Sequence, residues 1–276
     1  MSKKYSAGEL RDLCHRFRGD LMDILHNVQT GHPGGSLSAC EIVSTLYLNE
    51  MNLDPQKPDW EDRDRFVLSK GHAAPILYIL LAELGFFPKE ELKYLRQMDH
   101  MLQGHPSKNK IPGIDMSAGP LGIGLSAALG MALAARVQGK DYYTYAVIGD
   151  GEMNEGGIWE AFMSCNKFKP DNLIIFLDYN RVQLDGTNDE VMPQLDVPAK
   201  LAAFGLNVIE IDGHDVEAIT AAVAEAKAHK GQTSIIVANT IKGKGISFME
   251  GQSSWHGSPI KDSDYEIAKA ELGGAR

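Results

Sequence analysis

YYTYAVIGDGEMNEGGIWEAFMSCNKFKPDNLIIFLDYN, residues 142–180, is the stretch whose reading decides the fold. Tyr142 to Ile148 is a short apolar run of strand type that stops at Gly149-Asp150-Gly151. Gly157 to Phe168 reads as a helix. Leu173 to Leu177 is a second strand, which stops at Asp178-Tyr179-Asn180. Strand, helix, strand at this spacing is a crossover unit. It makes the two strands parallel and puts both of their ends on one edge of the sheet.

The pattern continues downstream. Pro198 to Phe204 predicts a helix, Val208 to Ile211 a strand, Val216 to His229 a helix and Ser234 to Ala238 a strand. Upstream, Ser6 to Gln29 places Leu10, Leu13, Phe17, Leu21, Ile24, Leu25 and Val28 at helical spacing. Thr30 to Gly35 holds a proline and three glycines and predicts a loop. A second helix is expected over Ser38 to Leu48, then a polar loop over Asp54 to Asp64 and a short strand over Arg65 to Ser69. Ala74 to Leu84 predicts a helix, His100 to Gly113 a long loop, and the small and apolar residues of Leu121 to Gln138 a buried helix. The expected fold is α/β, a parallel sheet with helices on both faces. A single domain over residues 1–276 with a helical N-terminal segment is expected, because no repeat or linker interrupts the pattern.

Composition narrows the function. Apolar residues make up 43% and charged residues 23% of the chain, as in ordinary soluble domains. The 27 basic and 37 acidic side chains give a net charge of −10, which argues against nucleic acid or an anionic membrane as the main partner. An anionic ligand would therefore be held locally. Cys14, Cys40 and Cys165 form no CxxC pair, so reduced thiols in the cytoplasm are expected. The first residues show no apolar core of a signal peptide, and the longest apolar stretch, Ala74 to Phe87, is too short to span a bilayer.

Open α/β sheets bind ligands at the carboxyl ends of their strands. There Asp150 offers a carboxylate and Asn180 an amide oxygen, hard ligands suited to Mg²⁺ or Ca²⁺. Gly149 and Gly151 allow phosphate oxygens to approach the backbone, and the following helix presents amides at its start. GDG alone is equally a tight turn after a strand. Its pairing with Asn180, thirty residues on, makes a metal-bridged diphosphate the stronger reading.

GDGEMNEGGIWEA followed by DYNRVQLDG resembles the thiamine-diphosphate fingerprint, and the wider pattern resembles transketolase. GHPGGSLSACE at Gly31, SKGHAAP at Ser69, GHPSKNKIPGIDMSAGPLGIGLS at Gly104 and WHGSP at Trp255 follow the family in order. The resemblance runs from about residue 10 to 260. It implies the diphosphate-binding domain of the thiamine-diphosphate fold. It also implies that Asp150, Asn180 and the Val182 carbonyl hold Mg²⁺ (or Ca²⁺), and that Gly151 and His256 contact the diphosphate. Gly149, Glu152 and His72 join the cofactor contacts, and Gly119-Pro120-Leu121 supplies backbone beside the aminopyrimidine. His32, His72, His105 and His256 are expected to line the channel, bind sugar hydroxyls and move protons. Glu155 is expected in a buried acidic relay between active sites.

Histidine suits both proton removal and proton return near neutrality. His214 reads instead as a turn residue before a helix capped by Asp215, and His15, His26, His100 and His229 read as solvated loop or surface residues. Lys242-Gly243-Lys244-Gly245 is either a phosphate contact or a solvated turn, the turn being favoured. Gly122 to Ala127 matches G-x-G-x-x-A but has no strand before it, and the chain has no P-loop motif.

In transketolases the glutamate that activates the aminopyrimidine, the aromatic clamp and the phosphate-binding arginines lie in the domain that follows this one. The expected enzyme is therefore a two-carbon ketol transferase of the pentose phosphate type that needs a partner chain, as an α₂β₂ heterotetramer acting on sugar phosphates. The alternatives are another thiamine enzyme (a 2-oxo acid dehydrogenase subunit or a deoxyxylulose-phosphate synthase), an unrelated nucleotide-binding protein, or a non-catalytic cofactor-binding subunit.

Overall fold

The computed structural model describes residues 4–273. Its centre is a five-stranded sheet in the order β1 (Arg65–Leu68), β2 (Thr144–Gly149), β3 (Leu173–Tyr179), β5 (Ser234–Asn239), β4 (Asn207–Asp212), and all neighbours are parallel. In chain order the helices are α1 (Ala7–Val28), α2 (Pro33–Ser38), α3 (Cys40–Thr45), α4 (Ala74–Leu84) and α5 (Gly124–Gln138). They are followed by α6 (Gly156–Phe168), α7 (Asn188–Val191), α8 (Val197–Ala203), α9 (Val216–Ala228) and α10 (Asp262–Glu271).

Side chains alternate across a strand, so each strand feeds two cores. Tyr145, Val147, Ile174 and Phe176 pack with Phe17 and Leu21 of α1, Ile76 and Tyr78 of α4, and Ile219 of α9. Ala146, Ile148, Ile175 and Leu177 pack with Ala128 of α5, Phe162 of α6 and Leu201 of α8. With both faces covered, β2, β3 and β5 have no solvated side, which is why they read as nearly unbroken apolar runs. The expected α/β layering is found. Cys14, Cys40 and Cys165 are free and buried.

Three local expectations change. Pro33-Gly34-Gly35, read as loop, opens α2, with Pro33 at the helix start where its missing N–H costs nothing. These glycines are set by packing: a methyl at Gly34 would lie 2.8 Å from the Trp255 carbonyl oxygen, and one at Gly35 would lie 3.1 Å from the His72 ring. The single helix expected over Ser38 to Leu48 is broken at Ala39 and passes from α3 into a wider π-type turn over Leu46–Glu50. The helix expected from Leu121 begins at Gly124 and buries only one face. Leu125, Ala128, Ala132 and Ala135 are buried, whereas Ile123 and Val137 are exposed. No element was expected over α10, whose tertiary contacts include Tyr265, stacked on His26 at 4.1 Å with its hydroxyl donating to Asp23 at 2.8 Å.

His214 also departs from expectation. Asp215 does cap α9, accepting from the Glu217 amide. The His214 ring, however, is bonded at both nitrogens: Nε2 accepts from the Ile241 amide at 2.9 Å, so Nδ1 carries the proton and donates to Glu41 at 2.9 Å. Glu41 also pairs with Arg18 at 2.6 Å. Burial pushes the Glu41 carboxyl up, but His214 and Arg18 outweigh it and hold the group below the usual carboxylate range. This network ties α1 and α3 to the turn before α9.

Candidate active site

The site begins where β2 and β3 end. Gly149 is in register with Asp178, so the two strand tips stand side by side on one edge of the sheet. Just beyond them Asp150, 3% exposed, bridges the gap. Its Oδ1 accepts from the Gly151 amide at 2.8 Å, and its Oδ2 accepts from the Arg181 amide at 2.5 Å and from Asn188 Nδ2 at 3.1 Å. Burial and the nearby Asp178 push the Asp150 carboxyl up to about 6 against these hydrogen bonds. A bound cation would reverse that shift. Asn180 Oδ1 faces the same turn and accepts from the Val182 amide at 3.0 Å.

Beneath the strand tips lies a buried ion pair that the sequence reading did not select. Lys70, at the end of β1, donates to Asp178 on β3, and also to the Gly35 carbonyl at 3.1 Å. Asp178 further accepts from Ser38 Oγ at 2.6 Å and from Thr240 Oγ1. Three strand ends and α2 thus converge on one carboxylate. Burial raises the Asp178 carboxyl, and Lys70 with the two hydroxyls overcomes this and leaves it below the usual range.

Lys242 corrects the preference for a solvated turn. It is buried, and its Nζ donates to the Gln183 carbonyl at 2.7 Å and the Val182 carbonyl at 3.2 Å, and lies 3.1 Å from His256 Nδ1. Burial, with Lys70 nearby, lowers its ammonium to about 8. Lys244 does lie near the surface, 3.7 Å from Glu250. The motif alone could not separate the two lysines. Glu152 is buried beside the cavity, but its oxygens are committed to protein donors: Ser69 Oγ at 2.5 Å, the Gly122 amide at 2.9 Å and the Gly149 amide at 3.2 Å. It braces the site and does not offer a free ligand atom.

Between these groups is a cavity of about 180 Å³, lined among others by His72, Leu121, Gly151, Asn180, Val182 and His256. Gly119 and Pro120 stand just outside it; a methyl at Gly119 would lie 3.7 Å from the His105 ring. The four motif histidines meet at one side. Ring centroids are 5.5 Å apart for His32 and His72, 5.5 Å for His32 and His256, 4.9 Å for His72 and His256, and 6.2 Å for His32 and His105. Glu155 does not behave as expected: in this chain it is exposed, at the start of α6, with no side-chain capping bond. The relay role implied a buried group.

The donor set fits a metal-bridged diphosphate. Hard oxygens of Asp150, Asn180 and the Val182 carbonyl gather at one corner. Two buried ammonium groups, Lys70 and Lys242, supply positive charge. Gly151 keeps a cradle open, since a methyl there would lie 3.2 Å from Gln183 Cγ.

The family model described as "Transketolase, thiamine diphosphate binding domain" matches residues 11–275. The chain belongs to the transketolase family. A 6-deoxy-6-sulfo-D-fructose transketolase subunit from Clostridium sp. (strain MSTE9) is 47% identical over 95% of this chain and 96% of that subunit. One of the subunits of an apulose-4-phosphate transketolase from Phocaeicola vulgatus is 39% identical, covering 92% and 90% of the two chains. Transketolase from Leishmania mexicana superposes with a TM-score of 0.91 at 34% identity, covering 99% of this chain and 42% of that one. This transketolase chain thus spans about two fifths of such a longer enzyme and nearly all of the separate subunits.

The four histidines of the site are held neutral. Burial, followed by the charge of Arg96, lowers His32 to about 4; burial and Lys242 lower His256 to about 3; burial also lowers His72 and His105. A folded-state value below the unfolded value of about 6.5 means that, in between, the unfolded chain binds the extra proton. Stability should therefore fall as pH drops from about 6.5 towards 4. Urea denaturation at stepped pH should show this fall, and His32→Gln should flatten it; an equally steep fall in the variant would contradict the assignment.

Proposed function

We propose that this transketolase chain is the diphosphate- and metal-binding subunit of a two-chain enzyme that moves a two-carbon ketol unit from a ketose bearing an anionic end to an aldose. The observation that carries the reading is the pair of strand tips: Asp150 and Asn180 adjoin the same cavity, with the four histidines beside it. Asp150, Asn180 and the Val182 carbonyl would hold Mg²⁺ or Ca²⁺. Gly151, Lys242 and His256 would receive the diphosphate. When bound, thiamine diphosphate supplies an electron sink for the carbon–carbon bond that is broken and remade.

The chain's own residues do the rest. Neutral imidazoles can both accept and donate a proton, and His32, His72, His105 and His256 lie close enough to share one sugar chain. They would orient the hydroxyls, take the proton from the hydroxyl next to the breaking bond, and return it after transfer. The anionic end of the substrate is suggested by the relatives, whose names specify a sulfosugar and a sugar phosphate.

A partner polypeptide would supply the pyrimidine-binding half. The relatives named as subunits, and the exposed Leu121, Ile123, Leu184 and Leu195, support this. Glu155 would become buried only in that assembly, for which α₂β₂ is the proposed stoichiometry. The three free thiols fit a cytoplasmic location. Titration of thiamine diphosphate with Mg²⁺ into the chain alone, and into the chain with its partner, tests the reading. Tight binding and ketose-to-aldose transfer are expected only from the pair. Full transfer by the isolated chain would rule the two-chain arrangement out.

A further inference from the structure

The protein treats the two carboxylate oxygens of Asp150 unequally. Oδ1 accepts one hydrogen bond, from the Gly151 amide, whereas Oδ2 accepts two, from the Arg181 amide at 2.5 Å and from Asn188 Nδ2 at 3.1 Å. A carboxylate oxygen has two lone pairs. Among the described residues, Oδ2 is therefore filled and Oδ1 keeps one lone pair free. Asn180 Oδ1, with the Val182 amide as its donor, is left in the same condition.

The fold builds in the second donor to Oδ2. After β3 the chain doubles back: Val182 bridges Thr187, and the Gln183 amide donates to the Gly186 carbonyl at 2.8 Å. This returns Asn188, buried at the start of α7, to the strand tips, where its backbone amide donates to the Arg181 carbonyl at 2.9 Å. Its side-chain Nδ2 donates to Asp150 and also to Gln194 Oε1 at 3.3 Å, and Gln194 Nε2 in turn donates to the Asp150 carbonyl at 2.5 Å. Asn188 Oδ1 is buried and, among the described residues, has no partner. A flipped amide would aim that oxygen at the Asp150 carboxylate, so avoided repulsion fixes the orientation at the expense of an unpaired acceptor. Neither Asn188 nor Gln194 lines the cavity. Both act on Asp150 and not on the ligand.

We infer that Asn188 is a positioning residue that closes Asp150 Oδ2, leaving the carboxylate to meet the cation through Oδ1 alone and making the site favour Mg²⁺ over Ca²⁺. The two oxygens of one carboxylate are too close together to occupy neighbouring corners of the small, regular octahedron that Mg²⁺ requires, whereas Ca²⁺ accepts more oxygens in irregular geometry, two from one carboxylate included. The inference rests on the metal site of the proposed function and deepens it: a residue that does not touch the cation sets which cation is preferred.

The test uses the reconstituted two-chain enzyme with excess thiamine diphosphate and no sugar, so that binding and not turnover is read. Mg²⁺ and Ca²⁺ are titrated separately by calorimetry. In Asn188→Leu, which removes the donor and keeps water out of its place, Mg²⁺ affinity should fall by about tenfold and Ca²⁺ affinity much less, so that the Mg²⁺-to-Ca²⁺ ratio falls by about tenfold. Asn188→Ala should shift the ratio in the same direction and carries the test if the leucine variant does not fold. Gln194→Leu, which keeps the donor and removes only its brace, should give a smaller shift of the same sign. A merely structural role would weaken both cations equally. Equal loss for the two cations, or an unchanged or increased ratio in the Asn188 variants, overturns the inference while leaving the metal site in place. If the wild-type pair binds neither cation, the metal site itself fails, and this inference fails with it.

Discussion

Asp150→Asn should weaken binding of thiamine diphosphate with Mg²⁺ by at least about a hundredfold, and transfer activity should fall with it. Asparagine keeps the size of the side chain but removes its negative charge. Taking one partner from a buried ionic contact costs about 3–5 kcal/mol, which corresponds to roughly two to three and a half powers of ten in affinity. The effect on folding should be much smaller. One of the three donors around Asp150 would lose its acceptor, yet repulsion from buried Asp178 would also disappear. Calorimetric titration of the two-chain enzyme at several Mg²⁺ or Ca²⁺ concentrations reads the first effect, and urea denaturation the second. Unaltered affinity at low Mg²⁺ would remove Asp150 from the metal site.

Asp178→Ala should have the opposite profile, a large loss of stability. It leaves the Lys70 ammonium, 1% exposed, without its counter-charge, and leaves Ser38 and Thr240 without their acceptor. The expected cost is about 3–5 kcal/mol, a large share of the stability typical of a domain. The denaturation midpoint should fall accordingly, and the pair Lys70→Met with Asp178→Leu should recover a good part of it. An alanine variant as stable as the wild type would mean that the pair is not braced as described. The sign with pH follows from the direction of the shift. Because Asp178 is held below its unfolded value of about 3.9, its contribution is complete above that pH and is lost as pH falls through the lower folded value.

These two carboxylates differ in how far sequence could assign them. Asp150 stood in a strand-ending GDG at crossover distance from Asn180, a local signal with one obvious use. Asp178 stood at the end of the same strand as Asn180, where only Asn180 was given a use; its role follows from Lys70 and Thr240, which are distant in sequence. The four histidines sat in Gly-His or Trp-His-Gly contexts and were legible for that reason. His214 shared the Gly-His context, yet its ring is taken up by Glu41 and the Ile241 amide. Lys242 and Lys244 are nearly identical in local sequence, and burial alone separates them.

The sequence by itself determined the alternation of strands and helices, the parallel sheet and the edge at which the ligand binds. Each of these depends on periodicity, strand ends and short-range spacing, which are properties of neighbouring residues. Only the tertiary structure decided that Glu152 is a brace and that Lys70 and Lys242 provide the buried positive charge. Those outcomes depend on which distant groups satisfy a buried charge or hydrogen bond, and such pairings exist only once strand ends far apart in the chain have converged.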